Sequence, residues 1–260
     1  MKITALVENT ASDDFTAAHG LSFYIETKSH KILFDLGPDD TVFENATKLD
    51  IDLSKIDTVI ISHGHYDHGG ALREFFGVNP RAKIYLQSSA FLPHFSGRRF
   101  IGIDDTLKTN GQIILLNGDF VIDEELSLIT VSQTDKCRCG VNDVFYECEK
   151  KDSFTHEQNL IVKEDKTALI MGCGHCGVVN IMDKAREYRP SLCIGGFHLF
   201  NPTTGETAPN ELLDSIAECL REYKDTEFYT CHCTGTYAYE YLSCRMSNLR
   251  YISCGESVEV

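Results

Sequence analysis

The sequence predicts a mixed α/β fold of two β-rich halves with helices outside, a pattern that fits an αβ/βα sandwich and other mixed α/β layouts alike. Strand and helix patterns alternate through both halves of the 260-residue chain, and no linker, internal repeat or low-complexity stretch divides them. The composition is 42% apolar, enough to bury a sizeable core, so residues 1–260 are expected to form one domain.

The first half begins with three strands of alternating or apolar character rich in β-branched residues, Lys2 to Glu8, Leu21 to Thr27 and Lys31 to Asp35, the last ended by Leu36 and Gly37. A helix is expected from Asp40 to Leu49. A short apolar strand, Thr58 to Ile61, then runs directly into Ser62-His63-Gly64-His65, so the chemistry starts at the carboxyl end of a strand. A helix over Ala71 to Phe76 and a strand over Lys83 to Leu86 follow. Between Phe91 and Asp119 the pattern breaks up around Pro93, Gly97, Gly102, Gly111 and Gly118, which suits a lid.

The second half is more regular. Strands Leu160 to Lys163 and Ala168 to Met171 flank a turn at Asp165 and lead into Gly172-Cys173-Gly174-His175. A helix from Val178 to Tyr188 and a strand from Leu192 to Ile194 lead to Gly195-Gly196-Phe197-His198. A helix from Glu211 to Tyr223 and a strand from Glu227 to Thr230 place His232 just beyond a strand end.

A formal net charge of −15 argues against nucleic acid as a partner, because a phosphate backbone needs clustered Lys and Arg to replace its counterions. A small-molecule substrate is expected instead, and an anionic one must be met locally. MKITALVENT enters a strand pattern at once, without the cationic and apolar regions of an export signal, and no apolar run is of membrane-spanning length. A cytoplasmic location without a membrane partner is therefore expected, and a homo-oligomer is left open. Eleven cysteines in such a chain read as thiols or metal ligands rather than disulfides.

Three imidazoles and one carboxylate fall within six positions at His63, His65, Asp67 and His68. His63 and His65 alternate along an extended segment and can point the same way, while Asp67 and His68 lie on the turn into the next helix. Neutral imidazole with carboxylate suits zinc, ferrous iron or manganese, and two adjacent pairs suit two ions. Gly64, Gly69 and Gly70 let the backbone turn closely around them.

The order His-x-His-x-Asp-His after an apolar strand resembles the signature of the metallo-β-lactamase superfamily at every position. That resemblance implies a four-layer αβ/βα metallo-β-lactamase sandwich and two divalent cations, zinc foremost, with iron or manganese as alternatives. Asp35-x-Gly37 resembles the family's turn whose aspartate buttresses the metal loop. The family draws further ligands from three later loops, which implies His156, then Cys173 or His175 in place of the usual bridging aspartate, then His232. His175 is favoured as the bridge, with Cys173 as the thiolate alternative. Asp67 is expected to orient a nucleophile while binding the second ion. His198, at another strand end, is expected either to contact substrate or to make structural hydrogen bonds.

The segments Leu6-Val7-Glu8-Asn9-Thr10, His19-Gly20-Leu21-Ser22, His156-Glu157-Gln158, Gly172 to His175, Gly195 to His198 and Cys231-His232-Cys233-Thr234-Gly235 together resemble one subfamily. It includes the archaeal 7,8-dihydropterin-6-yl-methyl-4-(β-D-ribofuranosyl)aminobenzene 5′-phosphate synthase. The expected activity is metal-dependent hydrolysis of a small ester, lactone or phosphate, and the alternative is a transferase reaction on a pterin. A di-iron redox protein is disfavoured because His65 stands where a glutamate would be. A metal- or redox-sensing binding module is the non-enzymatic reading. Cys137, Cys139 and Cys148 could bind an additional zinc or iron, sense oxidation, or simply be unpaired thiols. His30 and His94 are expected at the surface, whereas His19 is less easily assigned there.

Overall fold

The computed structural model describes residues 1–12 and 14–260. In chain order the elements are β1 (Lys2–Val7), β2 (Ser22–Glu26), β3 (Lys31–Phe34), α1 (Thr41–Lys48), β4 (Thr58–Ile60), α2 (Tyr66–Gly69), α3 (Leu72–Val78), β5 (Lys83–Gln87), β6 (His94–Ser96), β7 (Arg99–Phe100), β8 (Ile113–Leu116), β9 (Phe120–Val121), β10 (Leu126–Ile129), β11 (Phe145–Glu147), β12 (Lys150–Lys151), β13 (Asn159–Lys163), β14 (Thr167–Ile170), α4 (Val178–Ala185), β15 (Leu192–Gly195), α5 (Asn210–Leu220), β16 (Glu227–Thr230), α6 (Thr236–Ser243), β17 (Leu249–Tyr251) and β18 (Ser257–Glu259).

Two seven-stranded sheets result, ordered β18-β1-β2-β3-β4-β5-β8 and β17-β16-β15-β14-β13-β10-β9. Ile3, Phe23, Ile25, Ile32, Phe34 and Ile60 of the first sheet share one buried cluster with Leu128, Leu160, Val162, Ile170 and Ile194 of the second. The opposite faces are covered as well. Leu33, Val59 and Ile84 pack with Val42 and Ala46 of α1 and Leu72 and Phe75 of α3. Ile161, Leu169, Cys193 and Phe228 pack with side chains of α4, α5 and α6. With both faces buried, near-continuous apolar strands such as Asn159–Lys163 follow, and the four layers are those of the metallo-β-lactamase sandwich.

The topology also sets the position of the chemistry. β3, β4, β5 and β8 run parallel in the first sheet, and β14, β15, β16 and β17 run parallel in the second. Loops leaving the carboxyl ends of β3, β4, β14, β15 and β16 carry Asp35, His63 to His68, Cys173 and His175, His198, and His232 respectively. Carboxyl ends of parallel strands are where open α/β sheets place their ligand sites.

The segment from Phe91 to Asp119 is more ordered than its glycines suggest. Ile113–Leu116 supplies β8 at the edge of the first sheet, while β6 and β7 join β11 and β12 in a separate four-stranded sheet ordered β12-β11-β6-β7. Among the described residues no helix is long and apolar enough to cross a membrane.

Candidate metal centre

Asp35 organises the loop after β4. Its φ of 62° is the left-handed region that L-residues rarely adopt, and its side chain is fully buried. Oδ1 accepts the Ser62 backbone N–H at 2.7 Å, and Oδ2 meets the Ser62 hydroxyl and His68 Nδ1 at 2.7 Å each. A carboxylate partner puts the His68 proton on Nδ1 and leaves Nε2 facing the site, the arrangement by which outer groups orient metal-binding imidazoles.

The same logic governs two other rings. His63 Nδ1 lies 2.8 Å from the Ser62 hydroxyl, and His175 Nδ1 lies 2.9 Å from the Asn142 side-chain carbonyl, whose amide nitrogen donates to the His175 carbonyl. The distal nitrogens converge: the ligand atoms of His63, His65 and His175 lie within 4.8 Å of one another. Nε2 of each is buried and has no hydrogen-bond partner among the described residues. Three unpaired imidazole nitrogens turned toward one point are costly unless a cation occupies it. Burial, reinforced by neighbouring imidazoles, holds all three rings well below the ordinary histidine pKa, so they are neutral and able to donate lone pairs.

A second group faces this tripod. His232 Nε2 and His68 Nε2 lie 3.4 and 3.8 Å from Asp67 Oδ2, and His19 Nε2 lies 3.5 Å from the same oxygen. Burial works against ionisation of Asp67, but His68 and His232 outweigh it and hold the carboxyl far below its usual range. Asn9 joins the two outer imidazoles: its Oδ1 is 2.8 Å from His232 Nδ1, and its Nδ2 donates to His19 Nδ1 at 3.4 Å. Cys173 Sγ sits 3.2 Å from His68 Nε2 and also falls in a group with His63 and His68, between the two sets.

Buried carboxylates fix the later loops through backbone contacts. Glu8 Oε1 accepts the His232 N–H at 2.6 Å, and Glu157 accepts the N–H groups of His175 and Cys176 at 2.6 and 2.9 Å. The sequence assigns neither residue a role, although Glu8 lies in Leu6-Val7-Glu8-Asn9-Thr10 and Glu157 follows His156.

Several expectations need correction. His156 is near the site, but its Nδ1 accepts the Gly64 N–H at 2.9 Å and its Nε2 lies 3.1 Å from Asp152, so both nitrogens already have partners. It braces the loop after β4 from behind, and the ring that meets His63 and His65 with an unpartnered nitrogen is that of His175. His94, expected at the surface, is fully buried on the other side of Asp152, with Nδ1 3.2 Å from that carboxylate. His30 is partly buried between Asp57 and Asp123. Cys137, Cys139 and Cys148 do not cluster among the described residues; Cys137 instead faces Cys219 of α5, with the sulfurs 4.0 Å apart. His198 is 6% exposed, has its ring centre 4.0 Å from that of His175 with the planes tilted by 45°, and has no hydrogen-bond partner for either nitrogen among the described residues.

The two groups open into a cleft of about 520 Å³. Phe145 of β11, Ile101 and Tyr66 give it an apolar wall, Asn201 and Thr203 a polar one, and Arg99 is the one Lys or Arg lining it among the described residues. The small sheet thus fills the place expected of a lid.

Comparison with known proteins agrees with this geometry. Residues 16–130 match the sequence model of the metallo-beta-lactamase superfamily. An uncharacterized protein of Methanocaldococcus jannaschii, MJ0448, is 29% identical over 99% of this chain and 100% of its own length. The 7,8-dihydropterin-6-methyl-4-(beta-D-ribofuranosyl)-aminobenzene-5'-phosphate synthase of the same organism is 28% identical over 90% of this chain and 88% of its own. Among solved structures, Tm1679, a metal-dependent hydrolase of the beta-lactamase superfamily, superposes with a TM-score of 0.82 at 27% identity, covering 100% of this chain and 99% of the other.

Proposed function

We propose that this chain, a member of the metallo-β-lactamase superfamily, is a metal-dependent hydrolase that cleaves a small ester, lactone or phosphate at a two-ion centre. The observation that carries this reading is the convergence of the buried, unpaired Nε2 atoms of His63, His65 and His175. They would hold one divalent cation, and Asp67, His68 and His232 would hold the other, with Cys173 rather than His175 between them. Histidine and carboxylate donors with an open face toward the cleft suit zinc first, then iron or manganese.

Bound there, the cations would supply Lewis acidity and make water a competent nucleophile near neutral pH. The chain's own groups do the rest. Asp67 Oδ2, with His19 Nε2 at 3.5 Å, orients the attacking water and keeps a proton-bearing group beside it. Phe145 and Ile101 exclude bulk water from one side, and Arg99 can hold an anionic part of the substrate. His198 faces the same cleft.

A second reading, a synthase-type transferase acting on a pterin, is favoured by one observation: similarity to the archaeal synthase extends over most of both chains. In that reaction the same centre would assist departure of a hydroxymethyl oxygen, and an aromatic donor rather than water would attack carbon.

Elemental analysis of protein purified without chelator or metal affinity resin, followed by assays on phosphodiesters, lactones and pterin carbinols, separates these readings. At least two ions per chain, with water incorporated into product, supports the hydrolase; coupling of two organic substrates supports the transferase. His65→Ala should lose one ion and activity together, and an ion count equal to that of the native chain would end the assignment.

A further inference from the structure

We propose that Cys173, Cys233 and His198 form a third ion site, which takes a thiophilic cation such as Zn²⁺ through two sulfurs and one imidazole nitrogen. The three residues come from the loops that follow β14, β16 and β15, side by side in the second sheet. Their ligand atoms lie within 4.8 Å of one another, and all three side chains are buried. Bond lengths of about 2.3 Å to sulfur and about 2.0 Å to nitrogen place these ligands of one tetrahedral zinc roughly 3.5–3.8 Å apart, within that span.

The backbone is shaped for this convergence. His198 has a φ of 46°, a left-handed conformation that non-glycine residues rarely adopt, and its ring lines the cleft without a hydrogen-bonding group to meet among the described residues. A Cβ on Gly196 would lie 2.4 Å from Cys233 Sγ, so glycine at that position is what gives the thiol room. Cys231, two residues before Cys233, points instead into the core between the sheets. Among the described residues the Cys233 thiol makes a single hydrogen bond, a long 3.5 Å approach to the Cys173 carbonyl.

Cys173 could instead serve only as a bridge between the two cations proposed above. That reading leaves both nitrogens of His198 buried without a partner among the described residues, a costly state for polar groups, and gives Cys233 no role. A shared ion answers for all three. Two thiolates beside an imidazole discriminate against magnesium and manganese and favour zinc or cadmium. Binding would release the two thiol protons, and the fourth coordination position would face the cleft that all three residues line.

The test is titration of reduced, metal-free protein with Cd²⁺, followed by thiolate-to-cadmium ultraviolet absorption and by ions bound per chain. Three ions are expected, with a sulfur band of two-thiolate amplitude. Cys233→Ser should bind two ions and lose about half of the band, and His65→Ala should keep the band while losing an ion, which separates this site from the two-ion centre. Two ions in the native chain, with a band untouched by Cys233→Ser, would overturn the proposal. Alkylation of the unsubstituted protein, mapped by mass spectrometry, guards against a variant that fails to fold. Cadmium should protect Cys173 and Cys233 equally, and protection of Cys173 alone would also overturn it.

Discussion

Oδ2 of Asp35 lies 2.7 Å from Nδ1 of His68, and both side chains are completely buried. The pair ties the turn after β3 to the turn after β4, so a hydrogen bond in the core decides which His68 nitrogen faces the site. Asp35→Asn keeps the shape of the side chain but can present N–H where an acceptor is needed. Outer-shell replacements of this kind typically cost about 10–100-fold in metal affinity. Chelator competition should show that loss at one of the two ions, with the other retained; unchanged affinity at both would mean that Asp35 does not set the His68 tautomer.

The metal-free protein should be most stable near pH 6.5. Burial lowers the His68 pKa, but Asp35 and Asp67 outweigh it and push the ring up to about 9. Its contribution is therefore complete below the unfolded value of 6.5 and is lost as pH rises from there through about 9. His63, His65 and His175 shift the opposite way, so their contribution is complete above 6.5 and is lost as pH falls below it. Thermal unfolding of metal-free protein from pH 5 to 10 checks this, and His68→Gln should flatten only the alkaline limb. A native profile flat between about pH 6.5 and 9 would contradict the His68 pairing.

Gly64 separates the first two site histidines, and an added Cβ would lie 2.3 Å from the Ala90 carbonyl oxygen and 2.8 Å from His94 Nε2. The nearer atom is backbone and cannot swing aside. Gly64→Ala should destabilise the fold by about 1–3 kcal/mol and displace His63 and His65 from their shared point. Denaturant unfolding and metal content should fall together. Full metal content in a destabilised variant would mean that the loop shifts as one piece.

Much of this centre was legible because its signals are local. An apolar strand stops at Ile60 and is followed at once by His63 to His68, and the same strand-end logic located His175, His198 and His232. Long-range partners were not legible. His156 has the local context of a ligand, yet Asp152 four residues earlier and the Gly64 amide engage its ring. His94 looked like a loop residue until β6 folded it against that same Asp152. Strand β8 was missed because Ile113–Leu116 is short and follows Gly111, with its place fixed only by pairing to β5. Cys233 was quoted in a segment but assigned no role, since only the juxtaposition of β14, β15 and β16 brings it to Cys173 and His198.

Arg99 should read substrate charge. It sits on β7 at the cleft, donates from Nη2 to the Tyr66 hydroxyl at 3.1 Å, and holds its guanidinium 5.3 Å from the centre of that ring. The chain is strongly acidic, and this is the one Lys or Arg lining the cleft among the described residues, so an anionic substrate has few other protein cations to meet. Charged hydrogen bonds contribute about 1.5–3 kcal/mol when sheltered and less when exposed, and Arg99 is exposed. Arg99→Met should therefore raise KM for an aryl phosphate by about tenfold with a small change in kcat, since an interaction made equally in ground and transition states leaves kcat alone. A neutral lactone should show a much smaller change, and added salt should narrow the gap between native and variant for the phosphate. Equal increases in KM for both substrates would mean that Arg99 shapes the wall through its contact with Tyr66 and does not read charge.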